Sequence, residues 1–368
     1  MRFFVDYHHH ALARSLLTTL CGRLGHEVFF PSMRLAGEVA PAPVWHSVHD
    51  DWAEKVGLDP GHASWPRHGT VDAEEFFDLD FDFLVASRTE SQGPILSLRK
   101  RHPRGKRAIP LAVSGNAGTT YDWRAFQHLI STDEGSARVA PPGVRTIVVP
   151  QEIGWAYSTR SFVPISRENL RRAACYLHAM HRWAGQWDCD AFGSRCPHCG
   201  TPARTMEKSR PAPFLDAGAT WNELRCLLPD HELVAYGYEN ERYGGRYLDE
   251  ADVAATIDAT ALSVHMKPSE GFGHALLQSI RRGRLAVVPE RLYRYKTANR
   301  YLIPEVTCFE AAWDAKDVAR IVRDFTCDLG AANELSAKCR SVADVLFDPD
   351  CEARRLEAWL HEIVERRV

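Results

Sequence analysis

Short apolar runs alternate with helix-spaced leucines along most of the chain. Arg2 to Asp6 reads as a strand that stops at Asp6-Tyr7-His8-His9-His10, and Leu12, Leu16, Leu17 and Leu20 then recur at helical spacing up to Gly22 and Gly25. Glu27-Val28-Phe29-Phe30-Pro31 predicts a second strand. From Val39 to Asp80 no period holds. That stretch is rich in Trp, His, Pro and Asp (Trp45, Trp52, Trp65, Pro66), and its aromatics predict an ordered insertion near a cleft rather than disorder. Order returns with a strand from Asp82 to Ser87, a helix to about Arg101, a strand from Ala108 to Val113, a helix from Asp122 to Ile130 and a strand from Arg145 to Pro150. Such alternation predicts a Rossmann-like α/β domain, with the polar groups after each strand gathered at the carboxyl edge of a parallel sheet.

The second half repeats the theme. Arg167 to Trp183 carries Leu170, Ala174, Leu177 and Met180 at helical spacing; Trp221 to Leu228 predicts a helix, Glu232 to Tyr236 a strand ending at Gly237, and Asp249 to Ala259 a helix. Ala261, Leu262 and Val264 then lead into Lys267-Pro268-Ser269-Glu270. A Gly271-Phe272-Gly273 turn opens a helical pattern, and Leu285 to Val288 is the next strand. A glycine turn between a strand and a helix points free backbone N–H groups into the crevice at the carboxyl edge. That favours an anion, with a diphosphate the natural guest. Leu356, Trp359, Leu360 and Ile363 make the last helix amphipathic.

Pro268-Ser269-Glu270-Gly271-Phe272-Gly273, followed by a helix and by Gly283 before an apolar strand, resembles the donor-site signature of retaining, nucleotide-sugar-dependent glycosyltransferases of the GT-B type. The resemblance implies two Rossmann-like domains facing each other across a cleft, with a C-terminal helix crossing back to the N-terminal domain. The corresponding boundaries are 1–185 for the acceptor side, 186–204 for a linker, 205–345 for the nucleotide-sugar domain and 346–368 for the crossover helix. It also implies roles. Glu270 lies by the donor sugar, the amides of Gly271, Phe272 and Gly273 hold the phosphates, and Lys208, Arg210 or Lys267 supplies a cation. The family's ribose-binding glutamate is here Gln278, whose amide still hydrogen-bonds a hydroxyl but without charge assistance. Glu270 is then a candidate catalytic residue, with Asp6, His8 and His9 as the candidates on the opposite wall. The donor is then a nucleotide sugar, a UDP-sugar first, and no catalytic metal is expected.

Composition narrows the class without naming it. The 368 residues suffice for two domains, and 45% hydrophobic with 25% charged content is that of a globular protein. No window approaches the ~20 apolar residues of a membrane span, and Asp6 interrupts any leader-like start, so a cytoplasmic protein is expected. Ten scattered cysteines do not make a secreted disulfide framework. Arg195-Cys196-Pro197-His198-Cys199-Gly200 has the form of a zinc knuckle, with Cys189 and His181 completing four ligands and Cys175, His178 or Cys226 as substitutes. A structural zinc, two unliganded thiols and a redox pair all satisfy that pattern.

The net charge of −3 excludes a uniformly basic nucleic-acid binder, yet Arg99, Lys100, Arg101, Arg104, Lys106 and Arg107 concentrate positive charge in the first half. Asp78-Leu79-Asp80-Phe81-Asp82 has the spacing of the metal-diphosphate acids of the GT-A type, but precedes its strand and so falls on the wrong edge. Val5 to His9, Leu16 and Arg23-Leu24-Gly25-His26-Glu27-Val28 are similar to the opening of bacteriophage-encoded glycosyltransferases, some relatives of which decorate 5-hydroxymethylated pyrimidines in DNA. That similarity and the basic run together make hydroxymethylpyrimidine in DNA the favoured acceptor, with the run as its phosphate-binding face. Glycans, lipids and small molecules are the other acceptors. A nucleic-acid-binding module with a decayed nucleotide site, favoured by Gln278, and a nucleotide-sugar epimerase are the rival functions.

Overall fold

The computed structural model describes residues 1–6, 15–31, 68–114, 121–132, 134, 137, 140–150, 162–186, 214–246, 250–267, 273–289, 297–312 and 314–366. His8, His9, Cys189, Cys196, Cys199, Lys208, Arg210 and Pro268 to Phe272 lie outside them. The chain divides into two units, Met1–Trp155 with Pro349–Val368, and Ala156–Asp348.

The first unit is built on one parallel sheet. Its strands are β1 (Arg2–Val5), β2 (Glu27–Pro31), β3 (His68–Val71), β4 (Phe83–Ala86), β5 (Ile109–Ser114), β6 (His128–Ser131) and β7 (Arg145–Val148), in the order β3-β2-β1-β4-β5-β6-β7. Alternate residues feed two separate cores, as the two-residue period of a strand requires. Phe3, Val5, Phe83, Val85, Leu111 and Val113 pack with Leu17 and Leu20 of a wide helical segment, Leu17–Arg23. On the opposite face Phe4, Leu84, Ala86 and Ala112 pack with Phe76 of helix α1 (Ala73–Asp78) and with Ile95 and Leu98 of helix α2 (Thr89–Arg101). Helix α1 starts with a complete capping box, since Asp72 accepts from the N–H groups of Glu74 (2.9 Å) and Glu75 (3.0 Å) while the Glu75 carboxylate accepts from that of Asp72.

The second unit carries five parallel strands, β8 (Arg172–Tyr176), β11 (Glu232–Tyr236), β12 (Leu262–Val264), β13 (Ala286–Pro289) and β14 (Cys308–Ala311), in the order β11-β8-β12-β13-β14. Two short strands, β9 (Ala184–Gln186) and β10 (Phe214–Asp216), pair antiparallel beside it. Helices α3 (Ala217–Leu227) and α6 (Ala315–Thr326) pack together, as do α4 (Glu250–Asp258) with α5 (His274–Arg281) and α5 with α7 (Leu329–Leu346). Buried Arg284 is tied to Val163 O and Asp258 O at 2.9 Å each and to Ser336 Oγ at 3.2 Å.

Three expectations are corrected. The expected helix Arg167 to Trp183 is a turn followed by β8, which lies between β11 and β12, so 162–185 belongs to the second unit and the boundary moves from 185 to 155–156. The expected linker 186–204 is internal to that unit, leaving from β9 and returning through β10. The expected helix Asp122 to Ile130 is a turn capped by Asp122 and then β6. The last helix, α8 (Pro349–Glu365), does return to the first unit as expected. There it seats Leu356, Leu360 and Ile363 in the core and pairs Glu357 with His26 at 2.6 Å and Asp350 with Arg23 at 2.5 Å. Among the described residues no helix is long and apolar enough to cross a membrane.

Candidate functional site

In an open parallel sheet, ligands bind beyond the carboxyl ends of the strands, where the strand order reverses direction. In the second unit that point lies between β8 and β12. Three segments leave the sheet here: Leu177 to Trp183 after β8, Gly237 to Asn240 after β11, and His265 to Lys267 after β12. They are locked to one another by backbone and side chain. Leu177 N–H donates to Tyr236 O (3.0 Å) and Ala179 N–H to Tyr238 O (2.8 Å), while the buried Asn240 amide accepts from Met180 N–H (2.9 Å) and donates to Leu177 O. Gly237 is required by geometry, because its φ is +143° and a Cβ there would lie 2.8 Å from Leu177 O.

On this frame sits an aromatic and basic cluster. The His178 and Tyr238 rings stack at 4.3 Å, and Tyr238 N–H donates to His178 Nδ1 at 3.2 Å, which places the ring proton on Nε2. Burial and the nearby Lys267 charge push the His178 pKa down, so it is a neutral donor. The Trp183 indole N–H donates to His178 O (2.9 Å), and the Lys267 ammonium lies 4.9 Å over the Trp183 ring. Tyr238 is 46% exposed, and His178 is exposed beside it. Helix α5 starts beside β12, its cap Gly273 buried at φ +81°, and Gln278 is 4% exposed on that helix. The arrangement offers a cation, an imidazole N–H and a helix N-terminus along one edge, a set that suits a phosphate-bearing ligand. Sequence reasoning took His178 only as a spare zinc ligand and passed over Trp183 and Tyr238.

The equivalent reversal in the first unit lies between β1 and β4, and Asp6 occupies it. Its carboxylate, 2% exposed, accepts from Ser87 N–H at 2.8 and 2.9 Å and from the Ser91 hydroxyl. Burial dominates those bonds and raises the Asp6 pKa to about 6. The Ser114 carbonyl further along this edge accepts from Thr132 N–H at 2.9 Å.

The basic run lies elsewhere. Arg99 to Arg107 close α2 and precede β5, which puts them at the amino edge of the sheet, beside the acids that precede β4. There Arg104 pairs with Asp80 at 2.7 Å and donates to Asp78 O at 3.2 Å. Arg99, Lys100, Arg101, Arg104, Lys106 and Arg107 are thus removed from the edge where Asp6 stands, and the acids Asp78 and Asp80 are with them. Of the four expected zinc ligands only His181 is described, and it faces the Glu239 carboxylate at 3.7 Å, with Arg182 bonded to the same group at 2.7 and 3.0 Å. No cluster of three or more His, Cys, Asp or Glu side chains suited to a metal occurs among the described residues. Of the substitutes, Cys175 is buried with its thiol pushed up to about 12, which opposes the thiolate a zinc ligand must become.

No protein-family model matches the chain, and no curated protein matches it. Solved structures do. Anabaena Alr3699/HepE in complex with UDP superposes with a TM-score of 0.61 at 11% identity, covering 98% of this chain and 99% of that one. Sucrose-phosphate synthase (tll1590) from Thermosynechococcus elongatus gives 0.58 at 11% identity with both chains fully covered. The E. coli structure described as trehalose-6-phosphate bound with UDP-2-fluoro glucose gives 0.52 at 10%, covering 98% and 99%. At such identities the likeness speaks for the fold: two α/β units with parallel sheets and a returning C-terminal helix, the GT-B architecture.

Proposed function

We propose that the protein is a glycosyltransferase that takes its sugar from a UDP-sugar and holds the diphosphate at the carboxyl edge of the second sheet. The observation that carries this is the placement of Lys267 and His178 on the segments that leave the sheet at the β8/β12 reversal, with Lys267 over the Trp183 ring that is bonded to His178 O, and with helix α5 opening after β12. It gains weight because the fold is shared with solved structures that hold UDP or a UDP-sugar analogue. Catalysis on this reading rests on positioning and on stabilising the charge that develops as the diphosphate leaves. Lys267 and the amides of Gly271, Phe272 and Gly273 face that charge, with Lys208 or Arg210 as a further cation. Glu270 orients the donor sugar and Gln278 binds a ribose hydroxyl. Transfer with retention at the anomeric carbon follows from the resemblance of the Pro268 to Gly273 motif. Asp6, with both oxygens engaged, is a positioning residue that ties the loops after β1 and β4 together, and His8 and His9 extend the same wall. Cys189, Cys196, Cys199 and His181 would hold a structural zinc, outside the chemistry.

For the acceptor, the 5-hydroxymethylpyrimidine of DNA rests on the similarity of the first thirty residues alone, since the basic run sits at the amino edge. The test is a panel of UDP-, GDP- and ADP-sugars with hydroxymethylated and unmodified duplex DNA, followed by mass spectrometry of the digested nucleosides. A hexose or pentose mass gain on hydroxymethylpyrimidine alone supports both halves of the proposal. Donor turnover with no DNA product keeps the transferase and moves the acceptor to glycans, lipids or small molecules; no turnover of any donor sinks it.

A further inference from the structure

The amino edge of the first sheet carries a feature that sugar transfer does not use. A trough of about 470 Å³ opens between the start of β5, the approach to β6, the start of β7 and the end of α8, and its walls include Arg99, Arg124, Arg145, Arg366 and His128. Four arginines from four separate segments line one space. The Glu362 carboxylate partly offsets them, bonded to Arg366 at 2.6 Å and to Arg145, and the Asp122 carboxylate accepts from the Arg124 backbone N–H at 3.1 Å. Arg99 is held in place by its own bond to Ala108 O at 2.9 Å. Burial and the Arg145 charge push the His128 pKa down to about 4, so the imidazole adds no charge of its own. Lys100, Lys106 and Arg107 are exposed in the segment that leads from Arg99 into β5 and add positive charge to this edge, while Arg101 lies 5.2 Å over the Phe77 ring of α1. In a chain of net charge −3 such a concentration is local.

We propose that this trough binds the phosphodiester backbone of a nucleic acid. Guanidinium forks match phosphate oxygens in pairs, which is why arginine serves where phosphate is gripped. The concave shape and the four arginines along its walls fit a linear chain of phosphates better than a flat bilayer. The large hydrophobics exposed among the described residues, Val163, Tyr238, Val345 and Leu346, all belong to the second unit, so none of the described ones flanks the trough as an anchor for lipid. Recognition here is of the backbone and independent of base sequence. The site stands apart from the carboxyl edges and holds whether or not DNA is the sugar acceptor.

The test is fluorescence anisotropy of the full-length protein with a labelled 20-mer duplex DNA over a range of salt, beside flotation with vesicles containing phosphatidylserine. Arg124 and Arg366 are exposed, so Arg124→Glu with Arg366→Glu reverses charge without opening a core, and circular dichroism melting confirms folding. The expected result is saturable duplex binding, weakened at least tenfold in the double variant, with the slope of log K against log salt reduced by about 2. The Arg124→Lys, Arg366→Lys protein should keep most of the affinity. Equal binding by wild type and the charge-reversed protein, or no duplex binding at all, overturns the proposal, and binding to vesicles but not duplex reassigns the trough to a membrane surface.

Discussion

Replacing Asp6 with Asn should make the protein more stable at neutral pH and no more stable in acid. The Asp6 carboxyl is buried and its pKa stands at about 6 against 3.8 for the free side chain. A raised acid pKa means that the folded chain holds the proton more tightly than the unfolded one. The stabilising contribution is therefore present below about pH 4, falls away between about 4 and 6, and is absent above. A difference of about two units corresponds to about 3 kcal/mol. Asn cannot ionise. Its Oδ1 keeps a bond to Ser87 N–H, while the loss of the second oxygen offsets about 1 kcal/mol. The variant should then exceed wild type by roughly 1–3 kcal/mol at pH 7.5 and match or fall below it at pH 4.5. Urea unfolding of both proteins at pH 4.5, 6 and 7.5 reads this directly. His26, His128, His178 and His231, whose pKa values are all lowered, work in the opposite sense, since their contribution is lost as pH falls below the ordinary histidine range. They cancel in the difference between the two proteins. A difference that stays constant from pH 4.5 to 7.5 would refute the reasoning.

Two further substitutions probe the frame. Gly237→Ala forces a Cβ against Leu177 O at φ +143° and should cost about 1–3 kcal/mol, seen as an earlier urea midpoint with an unchanged slope; a neutral result would show that the loops after β8 and β11 are not locked as described. Leu360→Ala, at a fully buried position of α8, should cost about 2–5 kcal/mol, and a cost below 1 kcal/mol would mean that the returning helix is not part of the first core.

Much of the architecture was legible because its signals are local. Phe3 to Val5, Glu27 to Pro31 and Leu285 to Val288 are short apolar runs bounded by polar or glycine-rich segments, and each is a strand or lies within one residue of it. Strand β8 misled because a parallel strand buried on both faces does not alternate, and Leu170, Ala174 and Leu177 fall by accident on a helical spacing. The same accident at Phe126, Leu129 and Ile130 hid β6. The segment from Val39 to Asp80 showed no period, yet its end forms β3 and α1, the latter announced only by the capping pair Asp72 and Glu75. At the candidate site the His178–Tyr238 stack could not be read from the chain. Sixty residues separate the two rings, and the parallel pairing of β8 with β11 brings them together. The basic run was legible as charge, and its location at the amino edge follows from its place before β5, as that of the acids follows from their place before β4.

A nucleoside diphosphate bound at the carboxyl edge of the second sheet is to be seen by calorimetric titration with UDP. Saturable binding by the wild-type protein is expected, with a loss of roughly 10- to 100-fold, about 1.4–2.8 kcal/mol, in Lys267→Met and an unchanged unfolding midpoint. No UDP binding by wild type, or equal affinity in the variant, would contradict that placement.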